Sequence, residues 1–209
     1  GLAAFEVAKR VRAGERILVL GGTGGVGHYF VQLAKLNGAA FVAGTAARPE
    51  RLAALGADRA IDYAAEDVWT MPEFEAEPFD TVVDFAGGAW ARAERSAIVK
   101  SGRLGGRFLT TTPDSPTYEV HGIWQGLRTF LFPALARHLA TRIDRSRPRY
   151  SFVMGLNAAA RDNLRAMVAL LAQGRLRSVV DPAGPFPFTT DGVRAALKMQ
   201  ESRHAFGKV

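Results

Sequence analysis

The chain has 209 residues, enough for one large domain or for one domain with a small appendage. It is 48% hydrophobic and 22% charged, which excludes an intrinsically disordered protein. Cysteine is absent, which excludes a disulfide scaffold and any cysteine-ligated metal site within the chain. The formal net charge of +7 permits nucleic acid, an anionic membrane or a phosphorylated small molecule as a partner.

Apolar runs and helical periodicities alternate along the first half of the chain. They predict strands at residues 17–20, 41–43, 59–62, 81–85 and 106–111, and helices at residues 2–11, 26–36, 49–55 and 91–100. Strands that alternate with helices through short loops favour a parallel sheet covered on both faces. The predicted fold class is therefore α/β, a doubly wound Rossmann-type domain.

The pattern changes after Pro113. Residues 118–143 are predicted to be mostly helical, as an insertion over about residues 116–147, before a sixth parallel strand at 150–154. Helices at 161–173 and 191–201 follow, with extended pieces at 179–180 and 186–188 between them. The apolar stretch from Ile123 to Leu139 is a candidate membrane or partner surface. The simplest interpretation of its aromatic residues is a packed helix face, comprising Trp124, Phe130 and Phe132.

A glycine-rich loop lies between the first predicted strand and the second predicted helix. It consists of Gly22, Thr23, Gly24, Gly25, Val26 and Gly27, which matches the pattern G-x-G-x-x-G. Gly22 allows the tight turn, Gly24 lets the backbone approach a pyrophosphate, and Gly27 allows close packing of helix on strand. A pyrophosphate would then lie at the positive end of the helix, bound by free backbone N–H groups.

The end of the second predicted strand distinguishes between cofactors. An Asp or Glu there would bind a ribose hydroxyl, but no acidic residue occurs before Glu50. Thr45 and Arg48 can instead bind a 2′-phosphate, Arg48 through charge-assisted hydrogen bonds. NADP(H) is therefore predicted rather than NAD(H). A methyltransferase, which uses a similar loop, usually has the acidic residue too, so its absence disfavours that alternative.

Several motifs together resemble the medium-chain dehydrogenase/reductases. The residues that carry the resemblance are GERILVLGGTGGVG at 14–27, QLAK at 32–35, LGAD at 55–58, IDY at 61–63 and GKV at 207–209. The chain is most similar to the zinc-free quinone oxidoreductase group, including its reticulon-interacting mitochondrial branch. That branch also has a long aromatic segment between the fifth and sixth strands.

The resemblance implies that the chain is a cofactor-binding domain, residues 1–209, without the GroES-like catalytic domain that would precede Gly1. It implies that the loop from Gly22 to Gly27 holds the pyrophosphate, Thr45 and Arg48 the 2′-phosphate, and Tyr63 the adenosine side. Arg203 corresponds to a basic residue near the cofactor phosphate. In the family the sixth strands of two subunits often pair, so a homodimer or larger assembly is expected. No catalytic residue is assigned.

The histidines and two strand aspartates of the chain are weaker candidates for a functional site. His28, His121, His138 and His204 have no metal-ligand spacing with one another, and no metal site is predicted. His28 is interpreted as a surface or packing residue. Asp80 and Asp84 are interpreted as loop-capping residues rather than an acid/base pair.

The implied activity is hydride transfer from NADPH to a quinone or an α,β-unsaturated carbonyl compound (an enone). The alternative is a non-catalytic NADPH-binding or assembly subunit of a larger complex. Nucleic-acid binding is not expected, because no DNA- or RNA-binding motif accompanies the positive charge. The compartment stays open between cytoplasm and mitochondrion.

Overall fold

The computed structural model describes residues 1–114, 122–155, 157–202 and 205–209. Within this part of the chain, the strands form one six-stranded sheet in which every pair is parallel. They are β1 (Arg16–Leu20), β2 (Phe41–Ala46), β3 (Arg59–Asp62), β4 (Thr81–Asp84), β5 (Arg107–Thr110) and β6 (Arg149–Phe152). The order across the sheet is β3-β2-β1-β4-β5-β6. The predicted Rossmann-type α/β fold is confirmed.

Nine α-helices accompany the sheet in the described residues. They are α1 (Leu2–Ala8), α2 (Gly27–Leu36), α3 (Pro49–Ala53), α4 (Pro72–Ala76), α5 (Trp90–Ala93), α6 (Ile123–Gly126), α7 (Phe132–Ile143), α8 (Ala160–Ala172) and α9 (Thr190–Ser202). A π-helical turn, Leu127–Leu131, joins α6 to α7. None of the helices in these segments has the length and hydropathy needed to cross a bilayer.

The core lies on both faces of the sheet. On one face, Val7 of α1, Phe30 of α2 and Met167 of α8 pack together with side chains of β1 and β2. On the other face, Trp90 of α5 packs edge-on against both Phe108 and Tyr150. Because β1 and β4 are covered on both faces, β1 is a continuous apolar run from Ile17 to Leu20, and all four residues of β4 are buried.

The central strand is the point at which the winding of the sheet reverses. β1 pairs with β2 on one side and with β4 on the other, with Ile17 opposite both Val42 and Thr81. The loops after β1 and β4 therefore leave the sheet in opposite directions and open a crevice at the carboxyl ends of the strands. The glycine-rich loop begins at that crevice, directly after Leu20.

Several predicted boundaries are wrong. The helix predicted at 91–100 ends at Ala93. Ile98 and Val99 are buried instead, with the backbone of Val99 paired to Phe79 beside β4. Strand β2 continues past the predicted end to Ala46, because Gly44, Thr45 and Ala46 pair with β3.

The predicted helical insertion is present as residues 123–143, but its packing differs from the expectation. Trp124 is 77% exposed and Phe132 is 51% exposed, so neither forms a packed helix face. The inward side of α7 consists instead of smaller groups, such as the buried Thr141 and the partly buried Ala134. The side chain of Phe130, and Tyr118 as a whole, lie outside the part that the structure describes.

Candidate cofactor-binding site

The glycine-rich loop connects β1 to α2, and packing within the chain explains two of its glycines. A Cβ atom on Gly27 would lie 2.2 Å from the carbonyl oxygen of Gly21, and one on Gly22 would lie 2.7 Å from Leu52 Cδ1. On Gly24, by contrast, a Cβ would meet only the Gly21 carbonyl oxygen, at an ordinary 3.5 Å. The structure therefore leaves Gly24 room for a methyl group, so packing among the described residues does not explain the glycine at this position.

The loop presents unused hydrogen-bond donors at the start of α2. Within the described residues no hydrogen bond uses the backbone N–H groups of Gly25, Val26 or Gly27, whereas Gly24 donates to Gly21 at 3.2 Å. No side chain caps this helix, whose N-cap is Val26. N–H groups without a partner at the positive end of a helix dipole are suited to binding a phosphate anion.

Lys208 adds a positive charge to this loop from the far end of the chain. Val180 pairs with Lys208 as an isolated parallel bridge, and Gly207 donates to the carbonyl oxygen of Thr23 at 2.9 Å. A Cβ on Gly25 would lie 3.4 Å from Lys208 Nζ, which places the ammonium group beside the loop. In the sequence, Gly207 and Lys208 stand out only as part of the family motif GKV, and nothing local indicates that they lie beside the loop.

The crevice in front of the loop holds a cleft of about 540 Å³. Its walls come from the glycine-rich loop, the end of β2, the segments after β4 and β5, and the C-terminal segment, including Thr45, Tyr63, Phe85, Thr112 and Lys208. A second cleft of about 550 Å³ shares Gly21, Thr45, Tyr63 and Ala86 with the first and extends towards Trp69 and Arg92. Together the two clefts offer room for an extended ligand across the carboxyl ends of β1, β2 and β4.

Thr45 orients the loop as well as lining both clefts. It is buried, its Oγ1 accepts a hydrogen bond from the N–H of Gly21 at 3.2 Å, and its carbonyl oxygen accepts one from Gly22 at 3.0 Å. Tyr63 is 53% exposed and presents its ring to both clefts. The structure thus brings Thr45 and Tyr63 to the same crevice as the glycine-rich loop.

Arg48 is the exposed N-cap residue of α3, just after β2. No ion pair among the described residues involves it, so its guanidinium group is available to an anion. It is not part of the wall of either cleft. Its charge reaches Asp181, whose pKa is lowered mainly by backbone N–H groups of Phe206 and Ala183. Arg203, the other predicted phosphate ligand, lies outside the described residues.

The two aspartates of β4 have structural partners. Asp84 is buried and accepts hydrogen bonds from the N–H groups of Ala86, Gly87 and Ala89, so it caps the loop as predicted. Burial raises the pKa of Asp84. Asp80 instead accepts from the N–H of Arg16 at 2.9 Å and binds Lys100 at 2.6 Å.

No cluster of three His, Asp or Glu side chains in the described residues could hold a metal ion. Together with the absence of cysteine, this means that the described residues do not fit a zinc ion.

Known proteins with this architecture are similar to the chain over nearly its whole length. It is 34% identical over 200 residues to the NADPH-dependent alkenal/one oxidoreductase, chloroplastic, of Arabidopsis thaliana, covering 94% of this chain and 40% of that protein. It is 33% identical over 201 residues to the 2-methylene-furan-3-one reductase of Solanum lycopersicum, again covering 94% and 40%. It is 29% identical over 199 residues to the mitochondrial NAD(P)H oxidoreductase RTN4IP1 of Danio rerio, covering 94% and 48%. The chain thus spans 40 to 48% of the length of these relatives.

Solved structures share the fold. The quinone oxidoreductase of Coxiella burnetii superimposes with a TM-score of 0.72 at 23% identity, covering 99% of this chain and 56% of that one. The Escherichia coli quinone oxidoreductase complexed with NADPH gives 0.70 at 20% identity, covering 99% and 60%. A family model described as zinc-binding dehydrogenase matches residues 55–209. The chain therefore belongs to the zinc-binding dehydrogenase family, within the medium-chain dehydrogenase/reductases.

Proposed function

We propose that this chain is the NADP(H)-binding domain of an oxidoreductase that transfers a hydride to a quinone or an enone. The observation that carries the proposal is the loop before α2, where three free N–H groups and Lys208 converge on one edge of a 540 Å³ cleft. This donor set and the space above Gly24 fit the pyrophosphate of a dinucleotide. Relatives named as NADPH-dependent alkenal/one and quinone oxidoreductases support the reaction class.

In this proposal each part of the crevice has one task. The loop N–H groups and Lys208 bind the pyrophosphate, while Thr45 keeps the loop in the conformation that exposes those groups. Arg48, which takes part in no ion pair with the residues that the structure describes, binds the 2′-phosphate at the acid-free end of β2. Phe85 and Thr112, at the ends of β4 and β5, line the part of the cleft that orients the reacting ring and excludes water. The nicotinamide, when bound, supplies the hydride.

The substrate side of the reaction is proposed from the relatives' names alone. The described residues include no group that we assign to proton transfer. We therefore place proton delivery and most substrate contacts in a GroES-like catalytic domain that residues 1–209 do not contain. The homodimer expected from the family resemblance also stays a proposal.

Titration of the chain with NADPH and with NADH, followed by calorimetry, tests the cofactor assignment. Because a hydrogen bond to a charged group contributes about 1.5–3 kcal/mol, Arg48→Ala should weaken NADPH binding roughly ten- to a hundredfold and leave NADH binding unchanged. Lys208→Ala should weaken both cofactors alike, since both contain the pyrophosphate. Arg161→Ala, an exposed arginine at the start of α8, is the matched control and should change neither.

Two results would contradict the proposal. If neither nucleotide binds the folded chain, the loop is not a dinucleotide site in this domain. If Arg48→Ala weakens the binding of NADPH and of NADH equally, Arg48 does not bind the 2′-phosphate. The predicted preference for NADP(H) is then wrong.

A further inference from the structure

A second surface lies at the edge of the sheet opposite the crevice. The strands are parallel, so the turn before β5 and the segment before β6 both lie at the amino ends of the strands. These two segments are hydrogen-bonded to each other, Gly102 N–H to the Arg147 carbonyl oxygen at 2.9 Å and Arg103 N–H to that of Arg145 at 3.0 Å. They form a single surface that faces away from the glycine-rich loop.

Large aliphatic side chains are exposed on this surface. Leu104, in the turn before β5, is 73% exposed, and Ile143, the last residue of α7, is 87% exposed. An apolar stripe extends from Ile143 along α7 to the residue before it, at intervals of four residues, which places each member next to the following one and winds the row partly around the helix. The stripe consists of Leu131, Leu135, Leu139 and Ile143, which are 50%, 49%, 51% and 87% exposed.

The stripe is not the face that α7 uses to pack on the domain. The side of α7 that contains His138 and Thr141 contacts β6: Thr141 Oγ1 accepts a hydrogen bond from the N–H of Tyr150 at 3.1 Å, and the His138 ring bonds to the carbonyl oxygen of Tyr150 at 3.0 Å. Leu139 and Ile143 lie on the far side of the helix from Thr141. Packing within the described residues therefore leaves about half of each leucine of the stripe exposed, and most of Ile143. A helix with an exposed apolar outer side is suited to a partner surface.

The charges around the stripe are mostly positive, which favours a negatively charged partner. Residues 122–149 contain six arginines and a single acidic residue, Asp144. Arg137 binds Asp114, and Arg147 binds Glu94 and Asp144. Four exposed arginines near the Ile143 end of the stripe take part in no ion pair with the described residues. They are Arg103, Arg142, Arg145 and Arg149.

From these features we infer that α7 and the turn at 102–104 form a docking surface for an anionic lipid bilayer, which we call the α7 surface. Its members are Leu104, Leu131, Leu135, Leu139, Ile143, Arg103, Arg142, Arg145 and Arg149. The aliphatic side chains enter the boundary between headgroups and acyl chains, and the guanidinium groups bind lipid phosphates. The inference does not depend on the proposed function, since none of these residues lines either cleft.

Other partners fit the same observations less well. A second copy of the chain docked symmetrically through the α7 surface would bring its unpaired arginines close to the same arginines of the partner, which is electrostatically unfavourable. A nucleic acid would use the arginines but would leave the aliphatic stripe exposed to water. A bilayer with anionic headgroups covers both the stripe and the charges.

Flotation of the full chain with vesicles tests the inference, comparing phosphatidylcholine alone with phosphatidylcholine containing about one-third phosphatidylserine. We expect binding to the anionic vesicles, little binding to the neutral ones, and loss of binding at high salt. Each basic residue near such a surface changes partitioning about fivefold, so Arg142→Gln with Arg145→Gln should weaken binding roughly thirtyfold. Leu104→Glu with Ile143→Glu should weaken it roughly tenfold or more.

Matched substitutions on α8 control for exposure and charge. Leu164 and Val168 are 53% and 54% exposed, so Leu164→Glu with Val168→Glu introduces the same two negative charges at exposed apolar positions elsewhere on the domain. Arg161→Gln with Arg165→Gln removes two charges from the same helix. Both controls should bind anionic vesicles as the unmodified chain does, and circular dichroism should show all four variants folded.

Three outcomes would overturn the inference. The first is absence of binding to anionic vesicles, or equal loss of binding in the α8 controls. The second is that the glutamate substitutions on the α7 surface change the molecular mass in light scattering without vesicles, which would identify an interface between protein chains. The third is that only the arginine substitutions matter while the chain binds duplex DNA equally well, which would identify a polyanion site.

Discussion

His28 is a fully buried histidine beside the glycine-rich loop. Its Nδ1 lies 2.9 Å from the carbonyl oxygen of Gly24, and because a carbonyl only accepts, Nδ1 carries the hydrogen. Nε2 is buried and has no hydrogen-bond partner among the described residues. Burial, with a smaller contribution from the charge of Lys208, lowers the pKa of His28 to about 4. The expectation of a packing residue rather than a ligand is met, and the neutral ring also supports the loop.

The buried ring makes stability depend on pH. The pKa of His28 is about 4 in the folded chain and 6.5 when unfolded, so between these values the unfolded state binds the extra proton. The free energy of unfolding should fall as the pH is lowered from about 6.5 to about 4, by about 3 kcal/mol from this group. His28→Asn retains a donor for Gly24 but does not titrate, so denaturation of both proteins from pH 7 to pH 4.5 isolates the effect. Parallel stability curves for the two proteins would contradict it.

At the scale of elements, packing explains one glycine of the loop between β1 and α2 and does not explain another. Gly27 is needed because α2 begins against the backbone of Gly21 and Gly22. Gly24 is not needed by anything the structure describes. The same motif therefore contains one glycine that the fold requires and one that, in the proposed function, the ligand requires.

A pair of alanine substitutions tests this distinction. Gly27→Ala should destabilise the domain by about 1–3 kcal/mol, because its Cβ would overlap backbone that cannot move aside cheaply. Gly24→Ala should leave the melting temperature nearly unchanged and still weaken NADPH binding measured by calorimetry. Equal destabilisation by both substitutions, or full NADPH affinity in Gly24→Ala, would show that the two glycines have not been assigned correctly.

On the scale of the whole molecule, one buried ion pair joins elements distant in sequence. Arg107 at the start of β5 binds Glu15 before β1, with Nη2 2.6 Å from Oε1 and 2.5 Å from Oε2, and binds Thr81 Oγ1 at 2.8 Å. Its Nη1 also donates to the carbonyl oxygen of Arg10, just after α1, at 2.6 Å. The pair thereby connects the amino ends of three neighbouring strands with the first helix.

Removing one partner should be costly. Glu15→Ala leaves the guanidinium group of Arg107 buried without its counter-charge, and a loss of about 3–5 kcal/mol of unfolding free energy is expected in urea denaturation. Asp162→Ala removes the partner of Arg165 in an exposed pair and should change stability by less than about 1 kcal/mol. If Glu15→Ala costs no more than this control, the buried pair does not hold the strands together.

Local sequence patterns predicted the positions of elements correctly where burial on both faces of the sheet requires a run of apolar residues. The apolar run of β1, the buried strand β4 and the loop after Leu20 are where they were predicted. The helix predicted at 91–100 failed because Ile98 and Val99 are buried by contact with Phe79, a tertiary contact that no local periodicity reports. The prediction that Trp124 and Phe132 form a packed helix face was wrong. The hydrophobicity of these residues does not indicate which side of the helix contacts the sheet.

For the candidate site, residue types alone identified the glycine-rich loop and the absence of an acidic residue after β2, since both depend on neighbours in the chain. Only the tertiary structure added Lys208, because its position beside Gly25 arises from the pairing of Val180 with the C-terminal segment. The α7 surface likewise combines segments before β5 and β6 that become neighbours only when the parallel strands align. Sequence determined the fold class and the phosphate-binding loop through short-range chemistry, whereas long-range strand pairing decided which distant charges and apolar side chains share a surface.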